Sequence, residues 1–166
     1  MEQRFFADDR LNKLSVSNEA ADCAVRAIAV CCDISYEEAH KLATKHGRKP
    51  GTGTDWSIIV KTINELGYAL IWVNTPCRTI RVLERDLPKT GSFLISVRGH
   101  VLGYHDGQSV DWAAGRCHRI RTVWRILRFR NLTKHDKQYL GARQRSPSGK
   151  YNLYSGPKVG VDNNEW

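Results

Sequence analysis

The stretch Asp22-Cys23-Ala24-Val25-Arg26-Ala27-Ile28-Ala29-Val30-Cys31-Cys32 (22–32) decides the fold. It is rich in alanine and apolar on every side except at Arg26. That pattern predicts a buried helix, not a surface one. Asp22 closes a polar run from Ser17 and can cap the helix start, and Asp33 ends it. Arg26 lies four residues after Asp22, a spacing that suits an ion pair. A helix apolar all round needs other elements on all sides, and the flanking sequence supplies them.

Working outward, Ser35-Tyr36-Glu37-Glu38 reads as a capping box opening a second helix that runs to Gly47. Residues 48–53 read as a flexible basic loop. Thr54 or Asp55 caps a third helix, with Trp56, Ile59, Ile63 and Leu66 at helical spacing and Gly67 at its close. The period then changes. Tyr68 to Val73 and Ser92 to Val97 read as strands, and Thr79 to Leu87 as a short helix ending before Pro88. Residues 99–105 form another strand, which turns at Asp106-Gly107 and returns over Gln108 to Trp112. Arg119 to Leu127 is the last. Helices first and antiparallel strands after make an α+β arrangement. Trp56, Trp72, Trp112 and Trp124 fall in periodic segments and are expected in the core, Trp112 facing away from His100.

The 166 residues suffice for one domain, expected over 1–128. Residues 129–166 are polar, basic and rich in Gly, Ser, Asn and Tyr, and are expected to be an extended or flexible tail. No apolar run is long enough for a membrane span, and the first residues carry no signal-peptide core, so the expected location is the cytoplasm. Five cysteines at spacings that fit no zinc pattern suggest free thiols in a reducing compartment, and neither metal nor cofactor is expected. Gly51-Thr52-Gly53-Thr54 lacks the lysine of a phosphate loop. The net charge is +9, with eleven Lys or Arg against one acid between Arg116 and Lys150.

One cysteine stands apart. Cys23 falls in the first turn of the buried helix, where the helix dipole favours a thiolate, the reactive form. Cys31 and Cys32 lie deeper among apolar neighbours, and Cys77 and Cys117 read as core or incidental. Of six histidines, His100 alone begins a core strand. The preceding Gly99 would let another element approach closely. His40 and His46 read as solvated, and His105 as a solvated strand end. A two-residue turn at Asp106-Gly107 pairs His105 with Gln108 and sets Asp111 opposite Leu102. Asp111 is then diagonal to His100 on one face, roughly 7–8 Å away by backbone. A three-residue loop would break that parity. The Cys23 N–H is one candidate oxyanion donor. A side-chain amide upstream is the other, Asn18 being the candidate and Gln3 a weaker one.

Asp22-Cys23-Ala24-Val25-Arg26-Ala27-Ile28-Ala29, Ser35-Tyr36-Glu37-Glu38-Ala39, Gly99-His100-Val101-Leu102 and Asp111 resemble a group of small phage-encoded papain-like cysteine peptidases. More remotely they are similar to the double-glycine leader peptidases. The resemblance covers about residues 15–127. It implies N-terminal helices packed on an antiparallel sheet, with Cys23 as nucleophile, His100 as base and Asp111 orienting it. Where the usual upstream amide is Gln, this chain has Asn18, one residue closer.

The expectation is a thiol hydrolase, a peptidase or related amide or thioester hydrolase, acting on a protein or peptide, and on a host protein if phage-encoded. The alternative is a non-catalytic papain-like scaffold that binds an acidic partner or nucleic acid through segment 116–150. Arg119, Arg121, Arg128 and Arg130 are the candidate anion-binding residues, because their alternation would align guanidinium groups on one strand face.

Overall fold

The computed structural model describes residues 21–109, 111 and 113–136. Helix α1 (Cys23–Cys32) is the centre of the fold, and eight of its ten residues are buried. Asp33 stops it in the left-handed region, at φ 53°, where its N–H can close on Ala29 and Val30 carbonyls. Helix α2 (Tyr36–Lys45) starts as the capping pattern requires, with the Glu38 N–H donating to Ser35 Oγ at 3.2 Å. Helix α3 (Trp56–Glu65) begins after Asp55, whose side chain makes no capping bond.

The strands are β1 (Tyr68–Val73), β2 (Ser92–Val97), β3 (His100–His105) and β4 (Ile120–Arg128), with the short helix α4 (Ile80–Asp86) between β1 and β2. They form one sheet of order β1-β4-β2-β3, antiparallel throughout. The fold is thus mixed α+β, with helices packed on a four-stranded antiparallel sheet. Helices α1–α3 cover one face, through Leu70, Leu94, Val101 and Ile126. On the other face Ile80 and Leu83 of α4, with Ala113, pack on Phe93, Ile95, Leu102 and Val123. Trp56 and Trp124 meet at 5.3 Å between ring centroids and are only half-buried at the rim of the first layer, as Trp72 is elsewhere on the sheet. Trp112 lies outside the described residues.

Several expectations change. The close approach of helix to strand is made at Gly103, not Gly99. A Cβ on Gly103 would stand 2.6 Å from the Ala27 carbonyl oxygen and 2.9 Å from Cys31 Sγ. Gly99 has open space around it and a φ of +69°, so it is a turn residue between β2 and β3. Among the described residues of the expected return strand over 108–112, pairing beyond the turn is a single bridge, His105 with Gln108. The last strand runs one residue later than expected. Residues 48–53 do not form a wholly solvated loop, since Arg48 is buried and donates through Nε to Thr54 Oγ1. His46 is not simply solvated, because it and Lys45 both hold Glu65 and so tie α2 to α3. β4 ends at Arg128, and of the expected tail 129–166 the described part is not simply extended: Phe129–Asn131 form a 3-10 turn and Thr133 caps a helical start at 134–136, the rest being outside the described residues. Among the described residues no helix is long and apolar enough to cross a membrane.

Substituting Gly103→Ala is expected to cost about 1–3 kcal/mol in urea denaturation, because the added methyl meets backbone. Removing the Cys31 sulfur as well is not expected to rescue it, since the nearest obstacle is the Ala27 carbonyl.

Candidate functional site

Cys23 is the first residue of α1, and only it and Arg26 in that helix are not buried. Asp22 holds the N-cap position without capping. Its carboxylate turns sideways, accepting from Arg26 Nε at 3.0 Å and from the Tyr36 hydroxyl at 3.1 Å. The first-turn amides, which have no helical acceptors, are therefore not covered by that carboxylate. The Ala24 N–H points at the Cys23 sulfur, and so does the N–H of Val101.

The second donor follows from sheet geometry. β3 is the edge strand, and its Val97–His100 pairing with β2 makes alternate amides point outward. Val101 N–H is one of the outward set, so the thiol occupies a position that an edge amide needs filled. By the same alternation Val101 and Gly103 face α1, while His100 shares the α4 side with Leu102 and Tyr104. Thiol and imidazole come from opposite sides of the sheet and meet at its edge.

The His100 ring is held at both nitrogens. Nε2 lies 2.8 Å from Asp111 Oδ1 and 2.9 Å from Oδ2, leaving Nδ1 for its hydrogen bond with Cys23. The imidazole and carboxylate are 12% and 10% exposed, so the pair is shielded from solvent. Burial opposes the imidazolium, but the Asp111 and Cys23 hydrogen bonds and their charges outweigh it and push the His100 pKa up to about 9. Burial likewise raises the Cys23 thiol, yet the His100 hydrogen bond, the Val101 N–H and the His100 charge together bring it below its ordinary value. Both shifts favour a thiolate–imidazolium pair. Burial drives the other thiols the opposite way: Cys31 well above its usual range, Cys32 to about 12, and Cys77 upward as well. Cys117 is exposed.

Asp111 reaches His100, but not through the expected ladder. The turn has two residues as supposed, with Asp106 at φ 49° and Gly107 at φ 77°. Beyond the Gln108 bridge the chain leaves the sheet, and Asp111 is fixed by a loop. Its Oδ1 accepts from the Ala113 N–H at 2.8 Å, and Ala113 is fully buried under α4. Glu84 of α4 accepts from the Gly115 N–H at 2.9 Å and from the Tyr104 hydroxyl. The carbonyls of Arg116 and His118 then receive the first amides of α4, from Arg81 and Ile80. Glu84, Tyr104 and Tyr36 thus position the site without touching the thiol. Nothing in their local sequence marks them, because each acts through a contact distant along the chain.

Asn18 and Gln3 lie outside the described residues. The four candidate arginines are not gathered into one row. Arg119 and Arg121 flank the start of β4, where a bulge interrupts its register with β2. Arg128 is at the far end, its guanidinium 4.6 Å from the Tyr68 ring centroid, and Arg130 follows in the 3-10 turn. At a strand rise of roughly 3.3 Å per residue, Arg121 and Arg128 are separated by roughly 23 Å. His105, expected to be solvated, instead has Nδ1 2.9 Å from Ser92 Oγ. No group of three or more His, Cys, Asp or Glu side chains is placed to hold a metal ion among the described residues. Compared with family models, curated proteins and solved structures, the chain matches none.

An Asp111→Asn variant removes the charge that faces Nε2. In an NMR titration the His100 imidazole is expected to titrate near 9 in the native protein and to move down toward 6.5 in the variant. An unmoved value would show that Asp111 does not set the ring's protonation.

Proposed function

We propose that this chain is a thiol hydrolase of papain-like fold, resembling the small phage-encoded cysteine peptidases, which cleaves an amide or thioester carbonyl. The observation that carries the reading is one imidazole bonded to a carboxylate through Nε2 and to a helix-start thiol through its other nitrogen. The chain order of the three groups, with a cysteine heading a buried helix and histidine and aspartate following in and beside the sheet, supports it. A polypeptide met in the cytoplasm, a host protein if the chain is phage-borne, is the substrate we favour.

The chemistry follows from the pair. The Cys23 thiolate attacks the carbonyl carbon, a C–S bond forms, and the carbonyl electrons move to oxygen. The Cys23 N–H has no helical acceptor and faces the developing oxyanion, with Asn18 as the proposed second donor. His100 gives its proton to the leaving nitrogen or sulfur as that bond breaks, and an acyl thioester remains on Cys23. Water then attacks while His100 takes its proton. The C–S bond breaks, releasing the acid and restoring thiolate and imidazolium. Asp111 holds the ring so that Nδ1 faces the sulfur throughout.

Iodoacetamide at pH 6 is expected to alkylate Cys23 at least about tenfold faster than exposed Cys117, read by peptide mapping. Equal rates across the cysteines would remove the basis for a nucleophile. His100→Ala is expected to slow any turnover by about 10²-fold or more. The rate should be bell-shaped in pH. The acid limb marks protonation of Cys23, below the ordinary thiol value of 9.0, and the basic limb falls near 9 as His100 loses its proton. A rate still rising at pH 10 would contradict the ion-pair mechanism.

A further inference from the structure

The strand-end turn and two chain segments remote in sequence bring guanidinium groups to the end of the sheet that bears His100. The Thr79–Arg119 bridge, with the Ile120 N–H on the Arg78 carbonyl at 3.0 Å and the Arg81 N–H on the Arg116 carbonyl at 3.0 Å, lays residues 78–81 against 116–120. Val97 pairs with both His100 and Ile120. Arg98 follows Val97 into the β2–β3 turn and Arg119 precedes Ile120, so the two flank the last pair of that register. Arg78, Arg81, Arg98, Arg116, Arg119 and Arg121 thus share one end of the sheet, and all six are exposed. The carboxylates nearest the cluster are Glu84 and Asp111, which point inward to the partners described above, and Asp86, which accepts from the Cys77 thiol at 3.2 Å. Among the described residues, the Arg78, Arg81 and Arg119 side chains make no hydrogen bond or ion pair with a neighbour.

Resting on the proposed hydrolase reading, we infer that this arginine cluster is a substrate-docking surface for an acidic polypeptide segment flanking the bond delivered to Cys23. From Arg98 across Arg119 to Arg78 is two strand spacings, roughly 10 Å, about the length of three extended residues. The planar fork of arginine matches a carboxylate in two-point contact. The extent of the cluster separates this occupant from nucleic acid. A phosphate backbone needs a charged track, and beyond the cluster the β4 arginines are spaced out, with the exposed Arg125 four residues after Arg121 and Arg128 distant and over Tyr68. The Val97–His100 and Val97–Ile120 pairs put the cluster at the same sheet end as His100, so an extended chain held there lies near the thiol site.

The test uses the full chain carrying Cys23→Ala, so that no probe is consumed, and fluorescence anisotropy with three labelled probes: a hexaglutamate peptide, a hexaglutamine peptide and a six-nucleotide oligothymidylate. The glutamate peptide is expected to bind most tightly, and to weaken by about tenfold or more in the Arg78→Gln/Arg81→Gln/Arg119→Gln variant. Raising salt from about 50 to about 500 mM should weaken it similarly. Arg128→Gln should leave binding unchanged, and thermal melting confirms that each variant is folded; should the triple variant not fold, the three single substitutions are read instead. Equal binding of the glutamine peptide, or an unchanged affinity in the arginine variants, overturns the inference. Tighter binding of the oligothymidylate overturns it too, reassigning the surface to nucleic acid. Because this binding is read without turnover, it stands or falls separately from Cys23 reactivity.

Discussion

The contact of α1 with the edge strand at Gly103 is the constraint on which the rest depends. Helix and strand come together there with the Ala27 backbone and the Cys31 thiol where a Gly103 side chain would stand, and the alanines at 24, 27 and 29 keep the rest of the helix slim. This approach sets how far along β3 the helix begins. Because α1 lies along β3 in this register, its first residue falls beside His100, and its buried flank packs on β3 and β2. A bulkier residue at Gly103 would push the helix off the strand and carry Cys23 away from its partners. Packing and site geometry are therefore one requirement, not two.

The same helix shows how position sets chemistry for identical side chains. Cys23, Cys31 and Cys32 are all on α1, and burial opposes ionisation of each. At Cys31 the neighbours are apolar atoms and the Phe93 carbonyl, to which its thiol donates at 3.2 Å, an acceptor that favours the protonated form. At Cys23 the neighbours are N–H groups and a ring that can carry a positive charge. What distinguishes Cys23 is thus the supply of donors at the helix start. The sideways tie of Asp22 to Arg26 and Tyr36 preserves that supply, since a conventional cap would occupy it.

Local signals were legible in the chain where local physics decides. The α1 limits, the Ser35 cap, β1 and β2 follow from periodicity and short-range chemistry, and the structure places them as read. Asp111 shows the other side. Its place beside His100 was anticipated from a ladder of which the described residues show one bridge, and the hold they show is an Asx-type turn anchored by Ala113 and Glu84. Alternation in 108–112 could not reveal the turn that holds Asp111 through Ala113. Gly99 and Gly103 were equally open to a close approach, and only the path of α1 chooses between them. The arginine cluster was hidden for the same reason: residues 78–81 and 116–120 are adjacent through pairing across the chain, whereas the alternation in 119–130 pointed to a row that the bulge and the length of β4 break up.

The site also explains why it sits at an edge. Secondary structure leaves two kinds of amide without partners: those in the first turn of a helix and those on the outer side of an edge strand. Either kind left bare and buried costs about 1–3 kcal/mol. Here the start of α1 meets the outer side of β3, so both sets converge on one sulfur, and an anion there satisfies what the fold would otherwise leave unsatisfied. The stabilisation of the thiolate and the completion of the backbone's hydrogen bonding are then the same interaction. A protonated thiol, with one weak donor and poor acceptors, would serve the Val101 and Ala24 amides less well than the thiolate does. The geometry that closes the edge of the sheet thus shifts Cys23 toward its charged form.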